Sequence, residues 1–377
     1  MVERRRDILT ELAQHQISRR QFFRVGLGTA GLAFLAACGG NGGGDDPGEA
    51  SGDVVRIGFG YIGPVTDNGW TFTHDQARKH VESTLGDSVE TTFVENVPIS
   101  AEASQTFEQL ASNNDLVIAN TEYANFLSDV AARHPDVAFL EADGHTFTEN
   151  LYPYYVAHHV PNYLLGVAGG VLSETGKLGY VGAFPTATAY NDTNPLLLGA
   201  RSINPDATVQ AVMISSFFDP QKATQATNAL IDGGADFIFS VMDEPSFLQV
   251  CEERGVWGAS WNLDIREFGP TAYVNTYQLD WRDFYVEQAQ LVLDGEWESQ
   301  DEVRLLPLSL GEWGDNVPQE VKDAVTEAQT RIDEGFNPYT GPLTDTGGNV
   351  VLEEGETLTE VEAYAIDWAI EGVSGVT

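Results

Sequence analysis

From residue 54 onward, short apolar runs alternate with segments of helical period, and this order restricts the chain to few architectures. Runs suited to buried strands stand at 54–59, 91–94, 116–119 and 137–140, then at 178–181, 209–214, 237–241 and 256–260. Between them, apolar residues recur at helical spacing over 71–85, 101–112, 123–134, 163–173, 220–232 and 245–254. A β-α-β-α order feeds parallel sheets with helices on both faces. Two such series, separated near 154–161, predict two similar α/β lobes. Ligands of open α/β sheets sit at the carboxyl ends of strands, so two facing lobes form a ligand cleft between them.

Beyond residue 264 the order changes to a strand at 272–276, a long helix at 281–293, an apolar run at 303–308 and a helix at 318–333. The stretch Gly341-Pro342-Leu343-Thr344-Asp345-Thr346-Gly347-Gly348-Asn349-Val350 reads as a hairpin turning at Gly347-Gly348. The expected division is a leader at 1–37, a Gly-rich and acidic linker at 38–52, a first lobe of 53–157 plus 265–300, and a second lobe of 158–264 plus 301–377 that includes a C-terminal extension.

The leader has the twin-arginine form. Ser18-Arg19-Arg20-Gln21-Phe22-Phe23-Arg24 precedes an apolar core over 25–37, which contains Gly26, Gly28, Thr29 and Gly31. A membrane span needs ~20 apolar residues, so cleavage is the better reading of this stretch. Leu35-Ala36-Ala37-Cys38 reads as a lipobox. Together, leader and lipobox predict export in the folded state, cleavage before Cys38, lipidation of the Cys38 sulfur and an extracytoplasmic protein anchored to the cell membrane. One acyl chain binds a membrane only marginally, so firm anchoring requires a multi-chain lipid.

Six of the 19 Lys and Arg and three of the 57 Asp and Glu precede Cys38, leaving 13 basic and 54 acidic residues and a net charge of −41. Such a surface excludes ordinary nucleic-acid binding, which needs basic patches. The chain also repels itself, a cost relieved by strong screening, since the Debye length falls to ~3 Å at ~1 M salt. The charge predicts a halophilic protein. Apart from Cys38 the chain has only Cys251, whose apolar neighbours predict a buried helix face, so no disulfide is expected in the lipidated chain.

Several motifs invite a chemical reading that their context rejects. Gly58-Phe59-Gly60-Tyr61-Ile62-Gly63 fits the dinucleotide fingerprint, but Pro64 follows where a helix should open, so a strand and turn are expected instead. His158-His159 lacks metal-site spacing, no C-x-x-C occurs, and no G-x-S-x-G elbow is present. No catalytic residue, metal or cofactor is therefore expected. Asn191-Asp192-Thr193 is a glycosylation sequon and predicts an exposed loop.

The stretch richest in chemistry runs from Tyr61 to Arg78 and follows the first strand, which puts it at the cleft edge. Asp67 and Asn68 are expected to cap the next helix and Gly69 to allow a tight turn. Trp70 then stands at the helix start, where its flat face suits stacking on a planar ring.

Taken with Glu95-Asn96-Val97, Leu198 to Asp206, Ala229 to Asp236, Val292 to Trp297 and Phe336 to Pro342, this stretch resembles the basic membrane protein (BMP) family of substrate-binding lipoproteins. It is similar to the branch with a D-x-G-W-T-x-x-H-D-Q-x-R segment. The resemblance covers nearly the whole mature chain and implies a periplasmic-binding-protein-like fold, each lobe a parallel sheet with helices on both faces. It further implies an ABC importer, whose permease subunits are the partners, and a purine nucleobase or nucleoside captured without turnover.

Carried over by resemblance, Trp70 stacks on the base, with Tyr61 and His74 as candidates to line the same loop. Phe217 or Phe218 would supply a second aromatic face, and Trp261 belongs to the same expected site. Asp243 would accept from a purine N–H, Asp264 from ribose hydroxyls, and Tyr123 falls at a strand end of the first lobe. Each acid also has a structural reading, Asp243 as a helix N-cap and Asp264 as a turn residue. Asn120-Thr121-Glu122-Tyr123 and Val241-Met242-Asp243 depart from the branch pattern, and Glu122 introduces a carboxylate at an expected cleft position. Two other readings stay open: a sensory receptor without transport, and an exported nucleotide-cofactor enzyme.

Overall fold

Two six-stranded, wholly parallel sheets organise the computed structural model, which describes residues 54–67 and 69–376. The expected leader, the lipid site at Cys38, the linker and the Asn68 cap lie outside the described residues.

The first sheet has the order β11-β5-β4-β3-β1-β2. Its strands are β1 (Val55–Gly60), β2 (Val89–Val94), β3 (Leu116–Ala119), β4 (Ala138–Ala142), β5 (Leu151–Val156) and β11 (Arg304–Leu306). Helices α1 (Trp70–Leu85), α2 (Ala101–Asn113) and α3 (Asn125–Arg133) connect the first four strands, and α8 (Arg282–Asp294) packs beside α1. Glycine lets β1 lie close beneath α2, since a Cβ at Gly60 would sit 2.5 Å from the Phe107 ring.

The second sheet has the order β10-β9-β8-β6-β7-β14. It comprises β6 (Lys177–Gly182), β7 (Thr208–Met213), β8 (Phe237–Ser240), β9 (Trp257–Asn262), β10 (Tyr273–Gln278) and β14 (Val373–Ser374). Around it lie α4 (His159–Leu172), α5 (Ala187–Ile203), α6 (Pro220–Asp232), α7 (Ser246–Arg254) and α9 (Gln319–Asp333). A Cβ at Gly199 would stand 2.0 Å from the Tyr163 carbonyl oxygen, so only glycine permits this approach of α5 to α4.

Four-residue β3 and β8 are buried throughout, as strands of a doubly covered parallel sheet must be. The chain reverses its direction of growth between β1 and β3 in the first sheet and between β6 and β8 in the second, where β14 later returns to the β7 edge. Such switch points leave a crevice beyond the strand ends, and the loops that enter the cleft start there.

The lobes exchange chain three times: after β5, between β10 and α8, and after β11. The crossings are tied together where Ala157 N–H donates to the Leu306 carbonyl (2.9 Å) and where Tyr277 bridges Leu310. Strand pairing moves the expected lobe limits. Residues 273–278 pair with β9 in the second lobe, and 304–306 pair with β5 in the first. A parallel edge strand must be reached by a crossover, so the chain crosses one strand later each time than its helix pattern suggests.

The hairpin forms as expected, β12 (Leu343–Thr344) against β13 (Val350–Leu352), with Gly348 at φ +82°. Beyond it, α10 (Glu360–Tyr364) opens on a capping box between Thr359 and Glu362. This C-terminal segment lies on the second lobe yet reaches the first. Tyr364 donates its hydroxyl to Asp143 Oδ1 (2.8 Å) and stacks on His145, centroids 4.9 Å apart.

The sequon expectation is corrected by α5. Asn191 lies inside that helix, is 5 % exposed, and its Nδ2 donates to the Ala363 carbonyl (2.5 Å), so no glycan fits there. Cys251 is fully buried on α7, as its neighbours suggest, and burial raises its thiol pKa.

Candidate ligand-binding site between the lobes

Asp67 builds the entry to α1. Its two carboxylate oxygens accept from Gly69, Thr71 and Phe72 N–H, each at 2.9 Å, satisfying donors that a helix start leaves unpaired. Trp70 is thereby fixed at the first helical position, just beyond β1 and opposite the second lobe. Its Nε1–H donates to the carbonyl of Asn120 (2.5 Å), the residue just after β3, so the ring spans the switch point of the first sheet.

Four aromatic rings surround that indole. Trp281 meets it edge-on at 5.4 Å and His74 at 4.6 Å, while Tyr155 lies at 6.0 Å. From the second lobe Trp261 lies parallel to it, centroids 5.8 Å apart and planes 10° apart. His74 is stacked on Trp281 and bonded through Nδ1 to the Tyr285 hydroxyl (2.5 Å). Burial holds its pKa well below the usual histidine range, so the ring is neutral at ordinary pH.

Asp243 crosses the cleft. It follows β8 in the second lobe, and its Oδ1 accepts from Trp70 N–H of the first (3.2 Å). Burial foremost, and then the charge of Asp67, push its carboxyl well above the usual range, against the pull of that N–H. Gly69 is needed for this approach, because a Cβ there would lie 2.5 Å from Asp243 Oδ1. The N-cap alternative for Asp243 is not what forms. The neighbouring Glu244 accepts from Ser246 N–H instead (2.8 Å).

Around the parallel indoles several buried polar atoms have no hydrogen-bond partner among the described residues: Trp261 Nε1, both amide atoms of Asn262, and His158 Nε2. A buried donor or acceptor left unpaired costs ~1–3 kcal/mol, so these atoms are candidates for pairing with a polar ligand. Asn262 ends β9 at φ +68°, a strained position for a residue other than glycine.

The expected site residues divide accordingly. Trp70, Trp261 and Asp243 come together at the cleft, with His74 directly behind Trp70. Tyr61 is fully buried inside the first lobe, between Phe59 and Phe93, because the strand has just ended and its ring still points under α1. Tyr123 is core as well, edge-on to Phe107 and bonded to the Val97 carbonyl (3.0 Å) on the α2–α3 side.

Phe217 and Phe218 are 46 % and 60 % exposed on the rim, and Phe217 packs on Phe184. The face opposite Trp70 is Trp261 instead, since β9 lies nearer the crossings than the loop after β7. Asp264 is held by Arg266, through the backbone N–H (3.0 Å) and the guanidinium, and is thus a turn residue, not a ligand to ribose. Glu122 is half-buried near Asp143 and Glu141. Asn262, Tyr155, His158 and Trp281 escaped sequence reasoning. Their only signal is position at a strand end or a crossing, which needs the strand order to be known.

The motif around Trp70 also divides by function. Asp67, Gly69 and Trp70 serve the cleft, whereas Asp75 and Arg78 pair inside the first lobe (2.7 Å). Arg78 continues to Thr91 (2.8 Å), fastening α1 to β2. Among the described residues no group of His, Cys, Asp or Glu side chains is placed to hold a metal ion.

Two parallel-sheet lobes joined by three crossings, with an aromatic and polar cleft between them, define a periplasmic-binding-protein-like fold. Residues 54–305 match the family of PnrA-like ABC transporter substrate-binding proteins, and the chain belongs to that family. A purine-binding protein of Brucella abortus is 34% identical over 332 residues, 85% of this chain and 93% of that protein. A putative ABC transporter glucose-binding protein of Haloferax volcanii is 36% identical over 294 residues, 76% of this chain and 74% of its own length. Among solved structures, an ABC transporter solute-binding protein from Conexibacter woesei superposes with a TM-score of 0.58 at 19% identity, over 75% of this chain and 97% of that one. The family is one of binding proteins, not enzymes.

Proposed function

We propose that the protein captures a purine nucleobase or nucleoside between its lobes and delivers it to an ABC permease. The observation that carries this reading is the parallel pair Trp70 and Trp261, one from each lobe, ringed by unpartnered polar atoms. A flat heteroaromatic ring offers two π faces to such a pair and an edge of donors and acceptors to Asn262, Trp261 Nε1 and Asp243. Two stacking contacts of ~3.5 Å need the indole planes ~7 Å apart, so the lobes part slightly to admit the ring. The purine-binding relative supports the ligand class.

The setting is part of the same reading. A twin-arginine leader delivers the folded protein across the membrane, lipid on Cys38 anchors it, and the Gly-rich linker gives it reach to the permease. The net charge of −41 beyond the leader suits molar salt.

A sugar is the second reading, favoured by the putative glucose-binding relative and by the fit of an indole face to the apolar face of a hexose. A thermal-shift panel of nucleobases, nucleosides, hexoses and amino acids in molar KCl separates the two. Stabilisation by purines alone supports the proposal, and stabilisation by hexoses or amino acids alone refutes it.

A further inference from the structure

His158 stands at the first crossing between the lobes, 3 % exposed, and its ring is committed on one side only. Nδ1 lies 3.1 Å from Asp192 Oδ1 and 3.1 Å from the Tyr277 hydroxyl. Asp192 is fully buried on α5 and is fixed by two further donors, Tyr180 O–H on Oδ2 (2.6 Å) and Asn162 Nδ2 on Oδ1 (2.8 Å). A carboxylate only accepts hydrogen bonds, so Asp192 holds the single proton of an uncharged imidazole on Nδ1. Nε2 is then a bare acceptor, and it has no partner among the described residues.

The ring belongs to the same nest as the indole pair. It is stacked on Tyr155, centroids 5.1 Å apart and planes 18° apart, and lies 6.3 Å from Trp261; those two rings are the neighbours of Trp70 at 6.0 and 5.8 Å. The unpartnered acceptor therefore belongs to a ring 6.3 Å from the indole of Trp261, whose Nε1–H is an unpartnered donor, and the next residue in the chain, Asn262, has an unpartnered amide that offers both functions.

Building on the cleft reading above, we infer that His158 determines specificity: locked by Asp192 as the Nδ1–H tautomer, it presents Nε2 to a ligand N–H or O–H. A ligand lacking a donor at that edge leaves the acceptor buried and unpaired, so Asp192 acts on the choice of ligand without touching it. Asp192 is thus a positioning residue, and His158 is the contact.

The test combines titration calorimetry, using adenine, hypoxanthine, adenosine, guanosine and inosine in molar KCl, with nitrogen-15 NMR of labelled histidine. The wild type is expected to show a protonated Nδ1 and a bare Nε2 whose resonance moves when a bound probe is added. His158→Phe is expected to lose about tenfold in affinity, the worth of one hydrogen bond, with His158→Gln losing less. Asp192→Asn is expected to shift the tautomer towards Nε2–H and to lower affinity while Trp70 is untouched.

A wild-type Nε2–H tautomer, or an Nε2 resonance unmoved at saturation, overturns the inference even if a His158 variant fails to fold. If Trp70→Ala weakens binding and a folded His158→Phe does not, this inference fails while the cleft reading stands. If no probe binds the wild type, the purine reading falls and this one falls with it.

Discussion

Trp70, at the first position of α1, and Trp261, at the end of β9, come from different lobes and lie parallel across the cleft, their centroids 5.8 Å apart. Each ring is secured from behind within its own lobe or at the crossings: Trp70 by Asn120, His74 and Trp281, and Trp261 by the strand end beside His158. The two faces therefore move relative to one another only when the lobes move.

Removing one face should weaken a stacked purine by ~1–3 kcal/mol, so Trp70→Ala and Trp261→Ala each lose roughly 5- to 150-fold in affinity. Because the two rings act on one ligand, the double variant should lose less than the sum of the two. Calorimetric titration of the four proteins measures this. Strictly additive losses would mean that the rings serve separate sites.

Gly69 tests closure without touching a ring. In Gly69→Ala the new methyl would meet Asp243 Oδ1 at 2.5 Å, so the closed arrangement is opposed while the separate lobes are unaffected. Affinity should fall severalfold with little change in denaturant unfolding. Unchanged affinity would show that Asp243 does not approach α1 in the bound state.

The C-terminal segment gives a similar test from the other side of the cleft. Tyr364→Phe removes the hydroxyl that bonds Asp143, a hydrogen bond between the lobes worth about 1 kcal/mol. Ligand affinity should fall by up to about fivefold while far-UV circular dichroism stays the same. An affinity equal to the wild type would limit the segment to covering the second lobe.

Glu141 sets a pH dependence. Burial, only partly offset by the Tyr123 N–H that its carboxyl accepts, pushes its pKa from 4.5 up to about 8 in the folded protein. A carboxyl raised by folding contributes stability that is complete below the unfolded value near 4.5 and is lost as pH rises through about 8. Between those limits the loss is on the order of a few kcal/mol. Glu141→Gln keeps an acceptor for Tyr123 and should flatten this fall. Denaturant unfolding at pH 5 and pH 8 compares the two, and parallel losses would contradict the assignment.

Much of the fold was legible because its elements are punctuated. The limits of α6 follow from Asp219 and Pro220 at one end and Gly233 at the other, and those of β3 from the bounded run Leu116 to Ala119. β5 escapes the pattern because Pro153 and three tyrosines break the usual strand signal; the proline is tolerated because β11 pairs only with Tyr154 to Val156 and leaves Pro153 without a strand partner on that side. α5 was missed because Asn191, Asp192, Thr193 and Asn194 are buried polar residues inside a helix that also contains Pro195. Their partners lie in the C-terminal segment and beside His158, which no local pattern shows.

The site was half legible for a related reason. Trp70 follows a loop whose Asp and Gly advertise a helix start, so its place at the cleft can be read locally. The choice of Trp261 over Phe217 depends on which strand end lies nearer the crossings, a property of strand order alone. Tyr61 and Tyr123 were misplaced because proximity in sequence to a cleft loop says nothing about which side of the sheet a ring enters.

The central claim is that the lobes close two indoles on a purine, and a crystal structure with the purine that most raises the melting temperature tests it most directly. The base should lie between Trp70 and Trp261 with the indole planes ~7 Å apart, its polar edge within hydrogen-bond distance of Asn262, Asp243 or His158. Indoles still packed against one another, with the ligand bound outside the cleft, would contradict it.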